Sequence, residues 1–405
     1  MINDEEKLQK LLDYVSNNNE FYKKHGISNG LLWENAPMID RSTVQKAKKR
    51  ILSQDYLGLN MQKIITLITS GSSGEPLRVY WDPVDYYKSM FCLWKRRYSY
   101  YGILPTSSVV NFNYNVYSND RSRNGLIYYR YKNVLSINKA SLNNDNALHE
   151  LTLILGKTKI DWMYIQPSTL NKVLNYYVDS RIPFPKVKYI ESVGEVLPEK
   201  LKLDLLNYTG ISIKNMYGSE EMNGIAIECP YGNMHVISEN VIVECLNGNC
   251  ISQSGNGISI ITNLHNRAMP FIRYNQGDEI ELTDRNQCKC GFCDPIITRI
   301  VGRQRVSIDV NGKTIDSSII SEIIETVNNL LEYPIYSYHF DYISAENKLI
   351  GFLKIEAAYS DWIETITREI YACFETRGYS IHNIIIKYNE DSSDYYKTPK
   401  ILRLR

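Results

Sequence analysis

Two stretches of this sequence concentrate side chains that could do chemistry. Thr69, Ser70, Gly71, Ser72, Ser73 and Gly74, followed by Glu75 and Pro76, place hydroxyls and glycines between the apolar run 64–68 and the strand-like run 77–81. Glycines let a backbone turn tightly and approach a ligand. Free amides in such a turn, with the neighbouring hydroxyls, make a cradle for phosphate oxygens. The same composition also makes an ordinary polar hairpin loop. Two other nucleotide motifs are incomplete. Gly156-Lys157-Thr158 has the ending of a P-loop, but Leu151 stands where its first glycine belongs, and Gly255 and Gly257 are followed by Ile260 rather than a third glycine.

The second stretch is Cys288-Lys289-Cys290-Gly291-Phe292-Cys293. Three thiols so close together, in a chain expected to be reduced, suggest a soft-metal site. Cys229 and His235 offer two more donors. A closed tetrahedral site of Cys229, His235, Cys288 and Cys290 would hold a structural Zn²⁺, with Cys293 as the spare thiol. Unligated buried thiols are the alternative.

Downstream of the glycine loop come Ser192-Val193-Gly194-Glu195, Met216-Tyr217-Gly218-Ser219-Glu220-Glu221, Arg273-Tyr274-Asn275-Gln276-Gly277-Asp278 and Arg299-Ile300-Val301-Gly302-Arg303, in that order. With the loop they resemble the signature series of the AMP-forming, or adenylate-forming, ligases. The phenylacetate–CoA ligase family is the nearest match, including its branch associated with capsular polysaccharide genes, and the resemblance runs over nearly the whole chain. It implies a ligase that uses ATP and Mg²⁺ to join a carboxylic acid to AMP. The acyl group then passes to CoA or to an amine or hydroxyl. The loop 69–74 would hold the β- and γ-phosphates. Gly194, Glu195, Tyr217, Gly218 and Ser219 would border the nucleotide, Glu221 would help hold Mg²⁺, and Asp278 and Arg303 would receive the ribose. Lys397, in Tyr396-Lys397-Thr398-Pro399-Lys400, stands at the place of the family's catalytic lysine.

The chain departs from the family in three places. Glu220 replaces the usual Thr or Ser beside the AMP phosphate. Gln304-Arg305-Val306 lacks the common hinge aspartate. Tyr396 precedes the lysine where glycine is usual, and Lys400 replaces an arginine. These keep a second reading open, a non-catalytic nucleotide-binding protein that retains the fold.

The elements that must position these residues follow from periodicity. Asp82-Pro83 opens a helix over about 84–101 with an apolar and aromatic stripe. Strand-like runs at 109–112, 162–165 and 188–190 alternate with helical ones, and Ser168 is placed to cap a helix. This pattern predicts an α/β sheet with crossovers, whose ligands collect at the carboxyl ends of the strands. Short strands suggest a small β subdomain over about 236–298. Residues 303–405 read as a compact α+β unit. The expected architecture is therefore a large multi-subdomain adenylation domain, 1–302, and a small mobile C-terminal domain, 303–405. A net charge of +1 gives no broad electrostatic surface for nucleic acid. The polar start and the absence of a long apolar run predict a cytoplasmic enzyme with no membrane insertion, possible as a homodimer.

Overall fold

A computed structural model describes the chain apart from residues 1, 59–62, 70–76, 114–115, 117–124, 143, 285–286, 304–306, 311–312, 332–334, 356, 389–401 and 405. The chain divides into two compact units, Met1–Leu67 with Val79–Gly302, and Ile68–Arg78 with Arg303–Arg405.

The first unit opens with helices α1 (Ile2–Asn18) and α2 (Glu20–Lys24), the short strand β1 (Ile39–Asp40) and helix α3 (Arg41–Ala47). Asp40 caps α3, its carboxylate accepting the Thr43 amide at 2.7 Å. This opening segment is fastened far along the chain. The buried Tyr22 hydroxyl donates to Pro270 O at 2.9 Å and accepts the Ile272 amide at 3.0 Å.

Strands β2 (Ile65–Ile68) and β3 (Arg78–Trp81) pair with each other and lead into helix α4 (Pro83–Tyr101). Asp82 caps α4 by accepting the Val84 amide at 2.8 Å. Pro83, lacking an N–H, fills the first turn at no cost. Gly102, at φ +64, closes the helix in the left-handed conformation that glycine tolerates.

An α/β sheet follows. Its strands are β4 (Val109–Asn113), β5 (Tyr128–Tyr131), β6 (Val134–Asn138), β7 (Trp162–Ile165), β8 (Tyr189–Ser192) and β9 (Ile213–Ser219). Helices α5 (Asp145–Gly156), α6 (Pro167–Asp179) and α7 (Glu199–Thr209) connect β6 to β9. The order β6-β4-β7-β8-β9 is parallel throughout. These three helices cover one face in a core of Leu, Ile and Val, while α4 covers the other with Leu93, Trp94 and Tyr101. Each fully buried aliphatic side chain contributes about 1.5–3 kcal/mol.

The sheet continues through β10 (Asn223–Glu228), β11 (Met234–Val236), β12 (Val241–Asn247), β13 (Cys250–Ser252), β14 (Gly255–Asn263), β15 (Tyr274–Thr283) and β16 (Ile296–Arg303). The segment expected as a β subdomain therefore extends one hydrogen-bonded path, which with β1 counts fourteen strands among the described residues.

The second unit carries the hairpin β17 (Ser307–Val310) and β18 (Lys313–Asp316), then α8 (Ser317–Leu330), β19 (Ile335–Ile343), β20 (Lys348–Ile355), α9 (Ile363–Thr376), β21 (Ile384–Tyr388) and β22 (Leu402–Leu404). Its sheet runs β21-β20-β19-β22, and its core gathers Ile320, Ile324, Phe340, Ile370 and Phe374. No helix among the described residues is long and apolar enough to cross a membrane.

Candidate functional site

The motifs at 192–195, 216–221 and 273–278 lie at the carboxyl ends of β8 and β9 and on β15. Tyr217 and Ser219 alternate on β9, Gln276 and Asp278 on β15, so each pair shares one face of its strand. The Tyr217 hydroxyl donates to Asp278 Oδ2 at 2.6 Å. Gln276 Nε2 donates to both, at 3.0 Å each, and Ser219 Oγ donates to Gln276 Oε1 at 3.2 Å. β9 and β15 lie four places apart along the sheet, so this network joins strands that share no backbone bonds. It holds the tyrosine ring and the carboxylate together.

Gly194 follows β8 with φ +75, a conformation that disfavours a side chain. Glu195 reaches across to α6. Its Oε2 accepts the Ser168 amide at 2.9 Å and its Oε1 accepts the Ser168 hydroxyl at 2.8 Å. Ser168 was expected to cap α6. It instead lies in the first turn, after Gln166 and Pro167, and Glu195 caps from a distance. Gln166 Nε2 donates to Phe112 O at 3.1 Å and bridges β7 to β4.

The β9–β10 turn carries Glu220 and Glu221. A Cβ on Gly218 would stand 2.4 Å from Asn223 O, so the hairpin closes this tightly only with glycine there. Glu221 is buried. Its Oε1 lies 3.7 Å from Arg41 Nη1 and accepts from the Tyr274 hydroxyl at 3.4 Å. Glu220 keeps its side chain in solvent contact. Crowding by the surrounding protein, and then the Glu221 charge, raise its carboxyl pKa above the ordinary value. Trp81 Nε1 donates to Glu220 O at 3.0 Å and fixes the turn.

Two buried arginine–glutamate forks stand behind these residues. Arg97 on α4 donates to Glu191 through Nε at 2.9 Å and Nη2 at 2.5 Å, and the Tyr189 hydroxyl donates to Glu191 Oε2 at 2.7 Å. The guanidinium lies 4.5 Å from the Trp94 ring and 4.9 Å from the Trp162 ring. Burial, reinforced by the Glu191 charge, pushes the Tyr189 phenol well up, so it stays a donor. Arg273 forms the second fork with Glu244, at 3.1 and 3.0 Å, and its Nη1 also donates to Glu34 O and Ala36 O at 3.0 Å each.

The thiols meet as well. The ligand atoms of Cys229, His235, Cys288 and Cys290 all lie within 4.8 Å of one another. Cys229 follows β10, His235 sits on β11, and the other two come from the connection between β15 and β16. The Cys229 and Cys288 sulfurs are 3.9 Å apart, and Cys290 Sγ is 3.3 Å from His235 Nε2. Tetrahedral zinc with bonds of about 2.3 Å to sulfur spaces two sulfurs by about 3.8 Å, so the donor set fits that ion. Cys293 is exposed and outside the cluster.

At the base of the glycine loop, Thr69 Oγ1 accepts the Leu77 amide at 2.9 Å. Ser70, Gly71, Ser72, Ser73, Gly74 and Lys397 lie outside the described residues, as does the side chain of Arg303. Residues not singled out from sequence include Gln276, Tyr274, Arg41, Arg97 and Glu191. Gln276 and Tyr274 were within reach, being inside a quoted motif.

The fold is that of the adenylate-forming ligases. Three solved structures show it, each at low identity. A 2-hydroxyisobutyryl-CoA ligase in a postadenylation state, bound to 2-HIB-AMP, has a TM-score of 0.62 with 14% identity, covering 98% of this chain and 88% of that one. The same ligase in complex with 2-HIB-AMP and CoA has a TM-score of 0.59 with 16% identity, covering 98% and 88%. The acyl acid amido synthetase GH3.15 has a TM-score of 0.55 with 14% identity, covering 96% and 89%. One relative in sequence is Protein CapK of Staphylococcus aureus, 21% identical over an alignment of 383 positions that covers 87% of this chain and 81% of that protein. No protein-family model matches the chain.

Proposed function

We propose that the chain is an AMP-forming ligase that activates a carboxylic acid as its acyl-adenylate and passes the acyl group to CoA or to an amine or hydroxyl. The observation that carries this reading is the Tyr217–Gln276–Asp278 network, in which Tyr217 lies near the carboxyl end of β9, a strand parallel to β8, where such sheets bind nucleotides. In the reaction, a carboxylate oxygen attacks the α-phosphorus of ATP and pyrophosphate leaves. An acceptor nucleophile then attacks the acyl carbon, and AMP departs with the bonding electrons.

The chain's own residues bind and orient. The Tyr217 ring offers a stacking face for adenine. The Asp278 carboxylate, now held by Tyr217 and Gln276, would exchange those partners for the ribose hydroxyls. Lys397 would neutralise charge between carboxylate and phosphate, and the loop 69–74 would hold the outer phosphates through amides and hydroxyls. Catalysis of this kind is mainly positioning and electrostatics. Glu221 offers the hard oxygen donor that Mg²⁺ takes alongside phosphate oxygens, and the ion would supply charge neutralisation there. Cys229, His235, Cys288 and Cys290 would hold a closed zinc, which leaves no coordination position for substrate. The unit from Arg303 onward is the proposed mobile domain that brings Lys397 to the first half-reaction.

ATP–pyrophosphate exchange across a panel of aliphatic, hydroxy and aromatic acids tests this. Exchange with one class of acid is the expected result. Nucleotide binding with no exchange for any acid would instead identify the non-catalytic binding protein.

A further inference from the structure

We infer that the Cys/His cluster positions the nucleotide-binding edge through helix α4, with Arg96 and Arg97 as the two positioning residues. The inference rests on the adenylating and zinc readings above.

Residues 287–295, which carry Cys288 and Cys290, contain no helix or strand. One tie to the body of the unit is through Arg96. Asp294 Oδ2 accepts from Arg96 Nη2 at 2.8 Å, and the Phe292 ring lies 3.8 Å beneath the guanidinium. One turn on, the Tyr100 ring meets Phe292 edge-on at 5.3 Å and lies 6.5 Å from the His235 ring. The Tyr101 hydroxyl donates to Glu228 O, the carbonyl just before Cys229. One turn of α4 thus receives both halves of the cluster. Arg96 Nε and Nη1 and His235 Nδ1 are buried without a hydrogen-bond partner among the described residues. With Nε2 given to a metal, Nδ1 must carry the imidazole proton. The Tyr100 ring is the part of α4 that faces the imidazole ligation would orient.

The next residue completes the connection. Arg97 grips Glu191 with two bonds, and Glu191 lies on β8 three residues before Gly194. A bidentate fork resists both sliding and rotation. Where ligation sets Phe292 and Asp294, Arg96 sets the turn of α4, Arg97 sets Glu191, and β8 delivers Gly194 and Glu195 at the correct height. Metal occupancy would then be felt as nucleotide affinity, although no ligand of the metal touches nucleotide.

The experiment is calorimetric titration of the full chain with AMP, with zinc measured in the same samples. Asp294→Asn should keep about one zinc per chain and bind AMP about tenfold more weakly, the order expected when one charge-assisted hydrogen bond is weakened. Tyr189→Phe, at the far end of the connection, should also weaken AMP binding. The double variant should lose no more than the worse single one, because both act through one element. Asp294→Asn that keeps its zinc and binds AMP like the wild type overturns the inference, as do strictly additive losses. Wild type that binds AMP without containing zinc overturns it too and leaves the adenylating reading standing. Wild type that binds no AMP defeats the adenylating reading itself, before any substitution is made.

Discussion

The two buried forks differ in how much each one holds. Arg97–Glu191 is a closed pair in an aromatic box, with Tyr189 as its further hydrogen-bond partner among the described residues. Arg273–Glu244 is open-ended, since the same guanidinium also satisfies the carbonyls of Glu34 and Ala36, more than two hundred residues away. The first could be replaced by apolar side chains of similar volume with little loss, because a buried ion pair repays its desolvation only approximately. The second could not, because two backbone carbonyls would be left without a donor. A buried ion pair is thus a scaffold in one place and a tie between distant segments in the other.

The largest effects separate the forks. Arg97→Ala or Arg273→Ala should each cost about 3–5 kcal/mol by urea unfolding, since each leaves a buried glutamate uncompensated. The paired replacement Arg97→Met with Glu191→Leu should recover most of that loss. Arg273→Met with Glu244→Leu should not. Equal recovery would erase the distinction.

The next effect contrasts holding with reacting. Lys397→Ala should slow pyrophosphate exchange by about 10²–10³ at unchanged stability, while attack of the acceptor on supplied acyl-adenylate proceeds. Lys400→Ala is the control. Should it carry the effect instead, the alignment of the tail is shifted.

Asp278 on β15 lies five residues beyond Arg273, which immediately precedes that strand, and tests whether touching and holding are separable along one stretch of chain. Asp278→Ala should lose about 1.5–3 kcal/mol of nucleotide affinity with far less effect on unfolding than Arg273→Ala. A stability loss equal to that of Arg273→Ala would make Asp278 a scaffold residue as well.

The smallest effect concerns Glu220. Crowding by the surrounding protein, and then the Glu221 charge, hold its carboxyl pKa above the ordinary value. AMP affinity should fall as pH rises through its titration, because the charged form repels phosphate. Glu220→Thr should flatten that dependence and tighten binding by about 1 kcal/mol, roughly fivefold, at neutral pH. Unchanged affinity and pH profile would mean that the side chain turns away from the phosphate.

Much of the fold was legible because its signals are local. Asp82-Pro83 and Gly102 mark both ends of α4, and the alternation of strands and helices gives the sheet with its crossovers. The motif residues Tyr217 and Asp278 were legible as candidates, and the structure adds the bond between them. What could not be read is long-range. Glu195 caps α6 from 27 residues away, displacing Ser168 from that task. Arg97 and Glu191 are 94 apart, and neither stands in a motif. The strands of 236–298 looked self-contained because local pattern gives strands but not their neighbours, and pairing between β10, β11 and β16 joins them to the rest.

The fastening of Tyr22 to Pro270 and Ile272 also sets a schedule for synthesis. Its partner amide is 250 residues downstream. At about 5–20 residues per second, a ribosome needs roughly ten to fifty seconds to deliver that partner. During this interval the Tyr22 hydroxyl, buried in the finished fold, is without the two backbone partners that later satisfy it. The Tyr22 hydroxyl therefore gains its native partners only after residue 272 has been added to the chain.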